Sequence, residues 1–211
     1  MANFSQHLFY GMTTSAICST VAYFQLGLTP VQSGTAMILG SIASLGPDVD
    51  HSEGLPAKIF FETLGILFPI VGISHIPTDY TKNFALEHWI LYFFLSYIFI
   101  RIFLYAIFDK LTAHRGIFHS IPAAFLCGQA VFYLFTHLHW KQRLVMGGIT
   151  SIGYLAHLVA DEIYSVDWQG KKIKNSFGTA MDFGNFKEFS TWVVYSLISI
   201  LAYLIFQDLS H

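Results

Sequence analysis

Three stretches of this sequence combine residue types that bind metal ions. Gly46-Pro47-Asp48-Val49-Asp50-His51 follows an apolar run and sets two carboxylates and an imidazole within four positions. His114-Arg115-Gly116-Ile117-Phe118-His119-Ser120 carries two imidazoles five residues apart. His157-Leu158-Val159-Ala160-Asp161 has a four-residue spacing, which on a helix puts imidazole and carboxylate on one face. Such ligands suit zinc, manganese or iron. Taken singly, each has an ordinary structural explanation, such as a His–Asp pair joining two helices or an interfacial histidine like His7. Ionisable side chains in or beside apolar segments are costly, however, and that cost favours a functional role.

Other chemistries fit poorly. A calcium loop beginning at Asp48 needs Gly at its sixth position and Glu at its twelfth, where the chain has Glu53 and Ile59. An aspartyl-phosphate nucleophile does not suit an Asp48 that follows an apolar helix with no phosphate loop after it. Neither HExxH nor a Walker loop nor a GxSxG elbow is present.

The elements that must position these residues are long apolar segments. Hydrophobic residues make up 54% of the 211, and charged residues only 11%, against about 25% in typical soluble domains. Segments 86–108 and 189–206 have the length and apolarity of membrane spans. Segments 8–28, 32–46, 58–76, 117–136 and 143–163 are shorter or more polar, and 32–46 reaches only about 22 Å as a helix. The expectation is one all-α domain over 1–211, a polytopic bundle of about six or seven membrane helices. Cys18 and Cys127 lie within apolar runs and read as buried thiols. The stretch MANFSQH lacks the basic region of a cleavable signal.

If every segment crosses, His7, Asp48, Asp50, His51, His114, His119, His157 and Asp161 fall at one membrane face. His75, His88, His137, His139 and His211 fall at the other. Pro47 would end its helix and turn the loop back, and a bend at Arg115-Gly116 would let His114 and His119 both point inward. The ligand-bearing side also holds Lys58, Lys110, Arg115, Lys171, Lys172, Lys174 and Lys187, against Lys82, Lys141 and Arg143 opposite. That asymmetry makes it the cytoplasmic side.

The ordered motifs GPDVDH, HRGIFHS and GYLAHLVAD, after an early histidine, resemble those of the YdjM-type membrane-bound metal-dependent hydrolases. The resemblance spans roughly 7–165. It implies an inner-membrane protein, distantly similar to zinc-dependent phospholipase C-like enzymes, with the eight residues above as ligands. Two positions depart from the family pattern. Phe118 stands where Thr is common, and Glu162-Ile163-Tyr164 follows Asp161 in place of a Thr-Pro-x-Gly turn.

The function expected is metal-dependent hydrolysis of a lipid or amphipathic phosphoester. Eight ligands exceed the needs of one tetrahedral zinc, so two or more divalent ions are expected. Asp48, Asp50 or Glu162 would act as general base, and Arg115 would neutralise phosphate charge. Lys171, Lys172 and Lys174 could attract anionic headgroups or simply face solvent. A divalent metal transporter and a membrane scaffold with a structural metal site are the alternatives. A net charge of −2 offers no footprint for nucleic acid.

Overall fold

The computed structural model describes residues 4–50, 55–73, 76–111, 117–167, 172–173 and 181–210. They are helical apart from turns and a two-residue antiparallel pair, β1 (Val166–Asp167) with β2 (Lys172–Ile173). The helices are α1 (Phe4–Gln25), α2 (Pro30–Ala43), α3 (Leu55–Ile73), α4 (Thr78–Thr81), α5 (Leu86–Ile98), α6 (Tyr105–Leu111), α7 (Ile121–Leu134), α8 (Trp140–Ser165) and α9 (Phe189–Ser210). A 3₁₀ turn occupies Pro47–Asp50, and a π-helical stretch, Phe99–Leu104, joins α5 to α6.

Each of the seven apolar segments contains a helix. Among the described residues, Leu86–Phe108, Trp140–Ser165 and Phe189–Ser210 are long and apolar enough to cross a membrane. Helices α2 and α7 have 14 residues each, about 21 Å, against a hydrocarbon core of about 30 Å. Helix α1 has 22 residues, but Ser, Thr and Gln dilute its apolarity.

The chain packs as two compact units, one made of Met1–Asp48 with His114–His211 and the other of Val49–Ala113. In the first, α8 packs against α1, α2 and α7, while α9 lies on α7. Local signals start these helices. Thr29 and Gln32 form a reciprocal capping box ahead of α2, and the Ser120 hydroxyl accepts from Ala123 N at the start of α7.

Small residues then bring the backbones together. A Cβ on Gly153 of α8 would lie 2.1 Å from the Gly40 carbonyl oxygen of α2, and one on Gly11 of α1 would strike Ser44. On the α7 side, Gly147 meets the Gly128 carbonyl, and Ser151 Oγ donates to Ala124 O at 2.9 Å. Close approach over small residues is how membrane helices gain packing contacts and interhelical hydrogen bonds.

At the other end of α8, Arg143 is buried. It donates through Nε to Phe132 O at 2.9 Å, stacks on the Phe132 ring and pairs with Asp208 of α9. It is therefore a structural cation, although counted among the loop charges in the sequence.

In the second unit, Val49, Ala57, Phe61 and Ile100 form the core. Arg101, the one cation inside segment 86–108, sits in the π-helical stretch and donates to Glu62 at 2.7 Å. Tyr97 donates to the other oxygen of that carboxylate. The pair supplies the partner that an intramembrane charge requires.

Replacing Gly153 with Ala should cost about 1–3 kcal/mol of stability, because backbone must move to admit the methyl group. Gly148 on the same helix has open space around its Cβ position. Gly148→Ala should be neutral or stabilising, and unfolding of both variants in detergent checks the contrast.

Candidate metal centre

Five of the eight ligands expected from the sequence converge in the first unit. His7 comes from α1, Asp48 from the 3₁₀ turn after α2, His119 from the residues before α7, and His157 with Asp161 from α8. Because α1 and α8 pack together, the His7 and His157 rings stack at 3.5 Å with planes 8° apart. The His119 ring meets His157 edge-on at 5.7 Å.

The donor atoms form two overlapping groups, His7–His157–Asp161 and Asp48–His119–His157, each with its members within 4.8 Å of one another. His7 Nε2 lies 3.3 Å from Asp161 Oδ1, and His157 Nε2 lies 3.4 Å from Asp48 Oδ1 and 3.6 Å from Asp161 Oδ2. His119 Nε2 is 3.7 Å from Asp161 Oδ2 and 3.9 Å from Asp48 Oδ1. These separations exceed the 2.7–3.2 Å of ordinary N–H···O hydrogen bonds. They bracket the roughly 3.4 Å between ligands on a tetrahedral ion with bonds of about 2.0–2.2 Å.

Buried polar atoms give a second test of fit. His157 Nδ1 lies 2.7 Å from the Ser44 carbonyl oxygen. A carbonyl only accepts, so Nδ1 carries a proton and the ring's other nitrogen, Nε2, faces the carboxylates. His157 Nε2 and His7 Nδ1 are buried without a hydrogen-bond partner among the described residues. An imidazole nitrogen facing two carboxylates, in a site 0–3% exposed at His7, His157 and Asp161, suits a cation, which an unprotonated Nε2 would ligate. A protonated imidazole would meet the same requirement without metal.

The site is deep on one edge and open on the other. Asp161 is buried, whereas the Asp48 and His119 side chains are 27% and 13% exposed. Burial is the largest influence on the Asp48 carboxyl and pushes its pKa up. The neighbouring His157, His7 and His119 outweigh that and hold it below the ordinary value, favouring an ionised carboxylate.

The remaining sequence candidates fall differently. His51, His114, Arg115, Lys171 and Lys174 lie outside the described residues, as do the side chains of Asp50 and Lys172. Glu162 is rotated about 100° around α8 from Asp161, so the helix does not place it on the ligand face. On the segments assigned to the far side, His88 Nδ1 accepts from Ala85 N, His139 Nδ1 accepts from Lys141 N, and His137 packs on Phe135. These local contacts give the three histidines ordinary structural roles.

Two supports were missed in the sequence. Tyr154 precedes His157 by three residues on the same helix face, and its hydroxyl donates to Phe118 O at 2.5 Å, bracing the residue beside His119. Its ring also lies over Gly46, where a Cβ would be 2.5 Å away. Helical spacing within GYLAHLVAD could have revealed Tyr154. Ser44 acts through its backbone carbonyl, for which a sequence carries no signal.

A family model described as YdjM inner membrane protein matches residues 1–173. No curated protein and no solved structure matches the chain significantly.

Tyr154→Phe should cost about 0.5–1.5 kcal/mol, the net worth of one hydrogen bond, while far-ultraviolet circular dichroism stays unchanged. Denaturant titration in detergent measures the difference.

Proposed function

The chain belongs to the YdjM inner membrane protein family, and from that premise we propose that it is a metal-dependent phosphoester hydrolase acting on a lipid or amphipathic substrate at the cytoplasmic membrane face. The observation that carries this reading is the gathering of three imidazoles and two carboxylates at ion-ligand spacing, with one exposed edge. The further apolar segments would complete a bundle of six or seven membrane helices, with this centre at one face.

His7, His157 and Asp161 would hold a divalent ion on the buried side, with Asp48 and His119 closing the open side. A divalent ion supplies Lewis acidity, lowering a water's pKa toward about 7 and drawing charge from a phosphoryl oxygen. An imidazole nitrogen has one lone pair, so His157 serves one ion, whereas Asp48 and Asp161 each have two oxygens and can bridge. Two or more ions, zinc first and manganese or iron next, would therefore draw on Asp50, His51 and His114 as well.

The Ser44 carbonyl holds the His157 ring in the ligating tautomer. Asp48, kept ionised by its neighbours, suits a ligand better than a proton carrier. Asp50 or Glu162 would then take the proton-accepting role, and Arg115 the phosphate clamp. A metal transporter would need donors along a path across the membrane, and the local contacts of His88, His137 and His139 weaken that alternative. A purely structural site would be closed, and the exposure of Asp48 and His119 weighs against it.

Elemental analysis of detergent-purified protein should find at least one divalent ion per chain. His157→Ala/Asp161→Ala should lose it, and phosphoester hydrolysis should fall by more than the roughly 10–100-fold that losing a supporting partner costs. Wild-type protein free of metal after purification without chelator would sink the hydrolase reading.

A further inference from the structure

The residues leading into α9 carry an aromatic cluster that the metal centre does not use. Phe183, Phe186, Phe189 and Trp192 are each more than half exposed, and Met181 is 41% exposed. The rings are held in place. Trp192 Nε1 donates to Phe186 O at 3.0 Å, Tyr195 donates to Phe183 O at 3.1 Å, and Phe186 stacks on Tyr195. Gly184 makes the turn, with φ of 91° and Ile117 against its Cα.

This segment is tied to the metal centre. Ile121 N donates to Asp182 O at 3.0 Å, and Ser120 pairs with Asp182 in a parallel bridge. His119 is the residue immediately before Ser120. The segment therefore adjoins the more exposed edge of the site.

Two physical constraints fix where such a segment can lie. Its backbone is irregular and it carries Asp182, Lys187 and Glu188, so it cannot sit in the hydrocarbon core. Four clustered exposed aromatic rings are equally out of place in water. The headgroup layer accepts both, because an aromatic ring there keeps its apolar body in lipid and its backbone hydrated. Continuity supplies the rest, since Phe189 is the first residue of an apolar span.

We propose that Met181–Trp192 is an interfacial anchor that seats in the headgroup layer and holds the His119–Asp48 edge of the site there. The partner is the phospholipid bilayer itself. On the hydrolase reading, which this step deepens, the substrate is a phosphate ester still embedded in that layer, reaching the site sideways past the aromatic rings. The depth of the anchor does not depend on that reading.

The test uses full-length protein with Trp89→Phe, Trp140→Phe and Trp168→Phe, leaving Trp192, reconstituted in phosphatidylcholine–phosphatidylglycerol vesicles. Lipids brominated near the headgroup should quench its fluorescence more than lipids brominated near the chain end. The calculated depth should fall about 10–15 Å from the bilayer centre, near the edge of a core about 30 Å thick. Free quenching by aqueous iodide would overturn the proposal, as would strongest quenching at the chain ends. Protection from every quencher would also overturn it, by showing that another protein, such as a second copy, covers the ring. Phe183→Ser/Phe186→Ser in the same background should move Trp192 toward water while the bound metal is retained. If wild-type protein hydrolyses no phosphoester but the depth profile holds, the hydrolase reading fails and the anchor stands.

Discussion

His157 Nδ1 and the Ser44 carbonyl meet at 2.7 Å inside an apolar bundle, and the candidate metal site depends on that contact. It sets the tautomer, turns Nε2 toward Asp48 and Asp161, and ties the end of α2 to α8. The contact exists only because α2 and α8 approach over Gly40 and Gly153, with Gly11 of α1 against Ser44. Packing and chemistry are thus one arrangement. Larger residues at the crossings would separate the helices and with them the ligands. In lipid, where apolar burial does not drive helices together, small-residue contact and interhelical hydrogen bonds carry that load.

The centre also shows how an apolar fold tolerates buried polar groups. Asp161 and His157 would be costly as isolated groups. They are placed where each carboxylate oxygen faces an imidazole nitrogen and the second His157 nitrogen meets a backbone carbonyl. Arg143 follows the same rule at the far end of α8, answered by Phe132 and Asp208. Arg101 does so in the other unit through Glu62.

Much of this was legible in the sequence where the signal is local. Hydropathy located a helix in every apolar segment, and the four-residue spacing of His157 and Asp161 identified a shared face because helical periodicity needs no tertiary knowledge. The place of His7 was less accessible, since its stacking on His157 depends on α1 packing along α8. A backbone carbonyl such as Ser44's has no residue type to read. The division into two units was hidden for a related reason: apolar segments resemble one another, and hydropathy does not say which packs on which. Arg143 illustrates the limit of counting charges, because a buried, paired guanidinium looks in sequence like any loop cation.

The ion pair at the end of α9 has a consequence for the membrane around the protein. Asp208 pairs with Arg143, which itself donates to Phe132 O, so the far end of α9 is tied to α7 and α8. From Phe189 to Asp208 is 19 helical steps, about 29 Å, close to the thickness of a typical hydrocarbon core. Paired at one end and fringed with aromatic rings at the other, α9 has the length to match a bilayer that it would cross. A thinner bilayer would have to be met by tilting the helix or deforming the lipid, and a tilt would act on the segment that pairs with Ser120. If α9 crosses the bilayer, the thickness of the surrounding membrane would bear on the edge of the candidate metal site.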